Sequence, residues 1–279
     1  MRKTCFDMIY QLAKEDDRIV YIGSDVGAGT LQQMKEEMPN QFFMEGISEQ
    51  NIIGVATGLA LSGKIVYVNT LACFLTRRCY EQVYLDVGLH NANVRLLGNG
   101  AGLVYAALGP THIAVDDIAL MRNIPNMTIL CPADANEMAG MMLQTVDYPH
   151  PIYIRFSKGG DPIVSDPPYE IGKSYLYKTG GRGTVITTGI TLKIALAVKD
   201  INVIHCPTLP YFSPSISGGE VITIEEHNKI GGLGDIIQDM GVRVKKIGIP
   251  DVFVDRYGSQ ESLMAYYGIT TEAICKILG

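Results

Sequence analysis

No stretch of this 279-residue sequence is apolar for long enough to cross a membrane. The longest, Ile52 to Leu61, is broken by Gly54, Thr57 and Gly58, whereas a span needs roughly 18 apolar residues in a row. The N-terminus reads MRKTCFDMIY and turns polar at Lys14. It lacks the apolar core and small-residue cleavage site of a secretory leader, so a cytoplasmic protein is expected. No block of like charge occurs: the net charge is -6, and the basic stripe of a nucleic-acid binder is missing. The six cysteines (Cys5, Cys73, Cys79, Cys131, Cys206, Cys275) are scattered, and none forms a CxxC pair. Neither a zinc site nor a disulfide framework is suggested, and small buried hydrophobes in a reducing cell are the expectation. There is no repeat of fixed period. What is present is globular: 47% hydrophobic and 19% charged residues, in a chain long enough for two domains with cores of their own.

Helical and strand-like segments alternate. Phe6, Ile9, Leu12 and Ala13 recur at helical spacing, and Ile19 to Ile22 reads as a buried strand. An SDVGAGT turn and a polar helix near Leu31 to Glu37 follow. Asn51 to Leu61 reads as a small-residue helix closed by Gly63. Strands are predicted at Ile65 to Val68, Val94 to Leu97, Met127 to Leu130 and Ile152 to Ile154. Helices are predicted between them near Tyr80 to Leu89, Ala114 to Met121 and Ala135 to Val146. A second such pattern has strands at Thr184 to Thr188, Ile201 to Ile204, Val221 to Ile224 and Val244 to Ile247, with helices near Leu233 to Met240 and at the C-terminus. This alternation predicts an α/β protein of two doubly wound domains with mostly parallel sheets, residues 1–160 and 176–279. A Pro-, Gly- and Asp-rich linker at 161–175 joins them. Ligands of such sheets gather at the carboxyl ends of the strands.

The first string that carries chemistry is FMEGISEQNIIGVATGLAL, Phe43 to Leu61. A lone Glu49 opening a helix is explained by the helix dipole alone. Here, however, a Gly46 turn precedes it, and small residues (Gly54, Ala56, Thr57, Gly58, Ala60) follow, which lets a flat ligand or another backbone come close. This string resembles the catalytic-glutamate segment of the transketolase family and of deoxyxylulose-phosphate synthase. CFLTRRCYEQVYLDV (Cys73 to Val87) is similar to the synthase's aromatic-and-arginine segment with one residue inserted. GPTHIAVDDIALMRNIPNMTILCPADANE (Gly109 to Glu137) resembles both relatives throughout. VITIEEHNKIGGLGDI (Val221 to Ile236) and GIPDVFVDRYGSQESL (Gly248 to Leu263) look like the family's C-terminal domain. Order and spacing together make the resemblance specific over nearly the whole chain.

The resemblance implies a thiamine-diphosphate enzyme. Glu49 would bond the pyrimidine N1′, where a carboxyl group shares a proton and favours the imino tautomer of the cofactor's own base. Phe74 would stack on the pyrimidine, although a single Phe after a strand is equally well a core residue. Arg77 or Arg78 would bind a substrate phosphate, and the insertion leaves the choice between them open. His112, in GPTH, would stand near cofactor and substrate and move a proton or donate to an alkoxide. Lys158, in IRFSKGG, takes the place of an arginine that helps bind the substrate's anionic end, with Arg155 as a second candidate; lysine lacks the arginine fork. Tyr80 reads as packing, His227 as structural, and His90, His150 and His205 as surface or core residues.

Two departures matter. Leu108 stands where transketolases carry an acid that contacts a substrate hydroxyl, and its segment NGAGLVYAAL lacks their upstream histidine. A buried leucine cannot bond a hydroxyl, which implies a less hydroxylated donor or acceptor. Second, no GDG motif, the start of the family's diphosphate and metal site, occurs anywhere; the GGLGD string at Gly231 to Asp235 has no suitable Asn after it. Thiamine diphosphate and Mg2+ are therefore expected to be held in part by a separate chain carrying GDG and a later Asn, in an α2β2 heterotetramer, with the metal ligands on that partner. The implied activity is transfer of a two-carbon ketol unit between sugar or sugar phosphate substrates. Two alternatives stay open: the β subunit of a 2-oxo-acid dehydrogenase, whose usual H-S-Q string is absent, and a non-catalytic scaffold subunit, for instance a homodimer that has lost catalysis.

Overall fold

Runs of β-branched residues build the first sheet because both of its faces are covered, and parallel strands in that setting need no polar alternation. The computed structural model describes residues 1–24, 31–210 and 219–279. Its first six strands are β1 (Ile19–Gly23), β2 (Phe42–Met44), β3 (Ile65–Leu71), β4 (Val94–Asn99), β5 (Thr128–Leu130) and β6 (Ile152–Phe156). Every residue of β1, β3, β4, β5 and β6 is buried. The second half supplies β7 (Tyr175–Lys178), β8 (Thr184–Thr187), β9 (Asn202–His205), β10 (Thr208–Leu209), β11 (Val221–Asn228) and β12 (Lys245–Ile249). The sheet orders are β10-β5-β6-β4-β3-β1-β2 and β12-β11-β8-β9-β7. All pairings are parallel except the two edges, β10 on β5 and β7 on β9. Two mostly parallel α/β sheets are thus what the alternation predicted. The crossing of β10 into the first sheet was not.

The helices are α1 (Arg2–Glu15), α2 (Gln32–Glu37), α3 (Glu49–Leu61), α4 (Tyr80–Gln82), α5 (Asp117–Arg122), α6 (Ala135–Met142), α7 (Leu192–Leu196), α8 (Leu233–Asp239), α9 (Gln260–Tyr266) and α10 (Thr271–Leu278). Along α1, Cys5, Phe6, Ile9, Leu12 and Ala13 turn inward, the stripe that the helical spacing predicted. α5 begins three residues later than expected, because Ala114 is held in a two-way bridge with Gly102 (N to O 2.7 and 3.1 Å). The helix expected over Tyr80 to Leu89 is α4 followed by a π-helical turn, Val83–Leu89. A second π-helical turn spans Phe74–Arg78. It falls in the string where the resemblance implies one extra residue, and a π-helical turn commonly marks a functional site. All of the predicted SDVGAGT turn except Ser24 lies outside the described residues.

The predicted linker segment is tied down. Asp134 caps α6 and also accepts from the backbone N–H groups of Val164 and Ser165, both at 2.7 Å. The segment closes on β7. In the centre of the first sheet, Arg95 is fully buried and donates to the carbonyls of Thr145, Tyr148 and His150 at 2.7–2.9 Å, fixing the loop before β6. Burial lowers its pKa to about 10, which leaves it charged at neutral pH. Among the described residues, no helix is long and apolar enough to cross a membrane.

Candidate active site

Segments that follow β3, β11 and β12 converge with the Pro110–Asp116 loop around a cleft of about 800 Å3, lined in part by Phe74, Arg77, Arg78, Asp116, Asn228 and Asp251. Glu49 is the first residue of α3 and is only 3% exposed. Gly46, three residues earlier, has φ +71°, and a Cβ there would meet nothing within 4 Å. Glycine is needed at that position for its backbone alone. The Glu49 carboxylate accepts from Arg78 Nη1 at 2.9 Å. Thr70, at the end of β3, makes a long contact to its other oxygen (3.5 Å) and itself accepts from Ser24 Oγ at 3.0 Å.

The π turn sets the opposite wall. Arg78 Cζ lies 3.9 Å from the centroid of the Phe74 ring, and the edge of His112 meets that ring at 5.5 Å and 64°. Thr111 Oγ1 and His112 Nδ1 are 2.8 Å apart, while His112 Nε2 has no partner among the described residues. Arg77 is fully engaged: Nη1 reaches both Asp116 oxygens (3.1 and 3.3 Å), and Nη2 donates to Ile113 O at 2.8 Å. Glu49, Phe74, Arg78 and His112 are therefore brought together. Arg77 also lines the cleft but is paired with Asp116. Lys158 is exposed past the end of β6, does not line the cleft, and makes no ion pair among the described residues.

Two expectations change, those for Arg155 and Leu108, and one holds, that for the GGLGD string. Arg155 does not bind a substrate anion: it is 6% exposed, with Nε on Asp117 (2.8 Å) and Nη2 on the Glu226 carbonyl (2.7 Å). Leu108 is not buried but half exposed, so the site does not lose a hydroxyl ligand to a packed apolar wall there. The Asp235 carboxylate of the GGLGD string is taken by Lys246. His227 and His205 are fully buried, and His205 Nε2 meets Glu137 at 2.9 Å.

Missed from the sequence were Asp116, Asn228, Asp251 and Phe253. All lie within the transketolase-like strings, where none had a role until the cleft placed them together. Asn228 Oδ1 is left without a partner among the described residues. Behind the cleft runs an interlock between the two sheets. Asp117 takes Tyr153 OH and Arg155, while Glu226 takes Leu103 N and Gln260, all at 2.8 Å. Burial pushes the Glu226 carboxyl up to about 7, with Arg155 opposing. Cys73 lines the cleft, but burial raises its thiol to about 11, so it stays protonated and is no nucleophile. Among the described residues, no group of three or more His, Cys, Asp or Glu could hold a metal ion.

Residues 1–160 match the family described as "Transketolase, pyrimidine binding domain". An apulose-4-phosphate transketolase subunit of Phocaeicola vulgatus is 36% identical, covering 99% of this chain and 95% of its own. A 6-deoxy-6-sulfo-D-fructose transketolase subunit of a Clostridium species is 30% identical, covering 99% and 92%. A solved split gene transketolase, an inactive beta4 tetramer, is 30% identical with a TM-score of 0.88 over 99% of this chain and 96% of that one.

Proposed function

Because this chain belongs to the transketolase family, we propose that it is the pyrimidine-binding subunit of a two-chain, thiamine-diphosphate-dependent transketolase that moves a two-carbon ketol unit between sugar or sugar phosphate substrates. The similar proteins are transketolase subunits, so a 2-oxo-acid dehydrogenase β subunit is not favoured. That a solved beta4 tetramer is described as inactive supports the need for a second chain.

One observation carries the site assignment. A flat, cationic hydrogen-bond donor, the Arg78 guanidinium, already lies on the Phe74 ring and on the Glu49 carboxylate. The residues present therefore fit an aminopyrimidine: an aromatic platform, with a buried acid at its edge. Once bound, thiamine diphosphate supplies a nucleophilic carbon that can accept and release the ketol unit. Glu49 holds a proton at the ring nitrogen N1′. Phe74 fixes the plane of the ring. His112, oriented through Nδ1 by Thr111, presents Nε2 to donate to or take a proton from a substrate oxygen. The anionic end of the substrate falls to Arg78, with Arg77 held back by Asp116 and Lys158 available from outside the cleft. We place Mg2+ and its ligands on the partner, since this chain has no GDG motif. The assembly is then an α2β2 heterotetramer, and residues 161–175 join the two domains of this subunit.

The test is capture of partners from native cells, followed by reconstitution. A partner carrying GDG and a later Asn, and a reconstituted pair whose turnover collapses with Glu49→Gln, is the expected result. A pair that remains indifferent to Glu49→Gln overturns the reading in favour of a scaffold.

A further inference from the structure

We propose that Arg78 is a placeholder: without cofactor its guanidinium fills the slot between Glu49 and Phe74, and it must swing out before a pyrimidine can enter, carrying its charge into the cleft. The inference rests on the assignment of Glu49 and Phe74 to pyrimidine binding.

On the face of Phe74 that Arg78 covers, the two occupants exclude each other. With Cζ 3.9 Å from the Phe74 centroid, the guanidinium sits at contact distance and leaves no layer between itself and the ring. Nη1 is 2.9 Å from Glu49 Oε2, on a side chain that is only 2% exposed. A carboxylate so buried is costly without a donor. The two contacts serve one need: they cover the apolar face of the platform and give the acid a partner. A planar ring with an N–H at its edge meets the same need, and both cannot lie on that face of Phe74 at once.

Arg78 is also free to leave. Its side chain is 43% exposed, whereas Arg155 is 6% exposed and locked to Asp117. Its neighbour Arg77 is held at three points, by Asp116 and by Ile113 O, and stays. Displacement would therefore free one guanidinium into a cleft that already exposes Asp116, Asn228 and Asp251. Cofactor entry and the appearance of an anion-binding group become one event. The phosphate end of a sugar substrate gains its strongest partner only after the pyrimidine is seated, which imposes an order on binding. The closed state also lowers the apparent affinity for cofactor by the fraction of chains in which the slot is open.

Calorimetric titration of the reconstituted two-chain enzyme with thiamine diphosphate tests this. Arg78→Ala should bind it about tenfold more tightly, or better, than wild type, because the closed state is gone. The same variant should show a higher KM for a phosphorylated sugar. In the free chain, thermal unfolding of Glu49→Gln, Arg78→Ala and the double variant should be non-additive, because each change breaks one contact. Equal or weaker cofactor binding by Arg78→Ala, with wild type binding normally, overturns the placeholder and leaves the functional assignment standing. Failure of wild type and variant alike to bind thiamine diphosphate overturns both. Additive free-chain effects show that the pair is not formed in solution, and the placeholder falls.

Discussion

Arg155 Nε lies 2.8 Å from Asp117 Oδ2, with both side chains shut away from water. Burial works against the arginine charge, but Asp117, together with Cys131, Glu226 and Tyr153, more than offsets it, and the pKa of Arg155 is raised. Tyr153 OH donates to the same carboxylate oxygen. Removing one partner leaves an unpaired buried charge, which costs about 3–5 kcal/mol. Asp117→Asn and Arg155→Met should each show that loss in urea unfolding. The double variant should lose clearly less than the sum. Simple additivity would mean that the pair is not formed.

The sheets should also part company as the pH rises. Glu226 titrates near 7 in the folded chain against 4.5 as its reference. Between those values the folded chain holds a proton that the unfolded chain has lost. The stabilisation is therefore fully present below 4.5 and is lost as the pH passes about 7. Glu226→Gln keeps an acceptor for Leu103 and Gln260 but cannot ionise. Its advantage over wild type should grow by roughly 2–3 kcal/mol between pH 5 and pH 8. Unfolding curves at both pH values decide it. An unchanged pH slope would assign the titration instead to neighbouring Glu225, whose carboxyl burial also pushes up.

His112 combines partial burial with an unpartnered Nε2 among the described residues. In the reconstituted enzyme, His112→Ala should lower kcat by roughly a hundred- to ten-thousand-fold, the usual weight of a positioned acid or base. Its effect on stability should stay within about 0.5 kcal/mol. A variant that changes only stability would return His112 to a packing role.

Two glycines with positive φ separate backbone strain from collision. Gly46 (φ +71°) has open space where a Cβ would go, so Gly46→Ala meets only the left-handed penalty, about 1–2 kcal/mol. Gly102 (φ +68°) faces the Glu226 carboxylate, onto which a Cβ would fall. Gly102→Ala should therefore be markedly worse in denaturant melts and should weaken the interlock that Glu226 serves. Similar losses at both positions would mean that the Glu226 contact is loose.

The buried parallel strands were readable because composition alone marks them: β1, β3, β4 and β6 are apolar over most of their length. β2 and β7 were not, since they are short and partly exposed, and two-residue β10 carries no periodic signal. The transketolase-like strings located Glu49, Phe74, Arg78 and His112, which do meet in space. The resemblance implied one extra residue near Arg77, but the π turn found there is a backbone property that no count contains. Arg155 misled because an arginine after a strand looks available. Its partners at 117 and 226 are far off in sequence, and pairing at such range leaves no local trace.

The antiparallel strand β10 has a further consequence. Thr208 and Leu209 come from the second half of the chain but pair with Leu130 and Ile129 in the first. The halves are therefore stitched by the backbone itself, independently of the covalent crossing at 161–175. A single cut in that crossing leaves two fragments that still share a sheet, the arrangement from which a self-complementing pair of polypeptides is made.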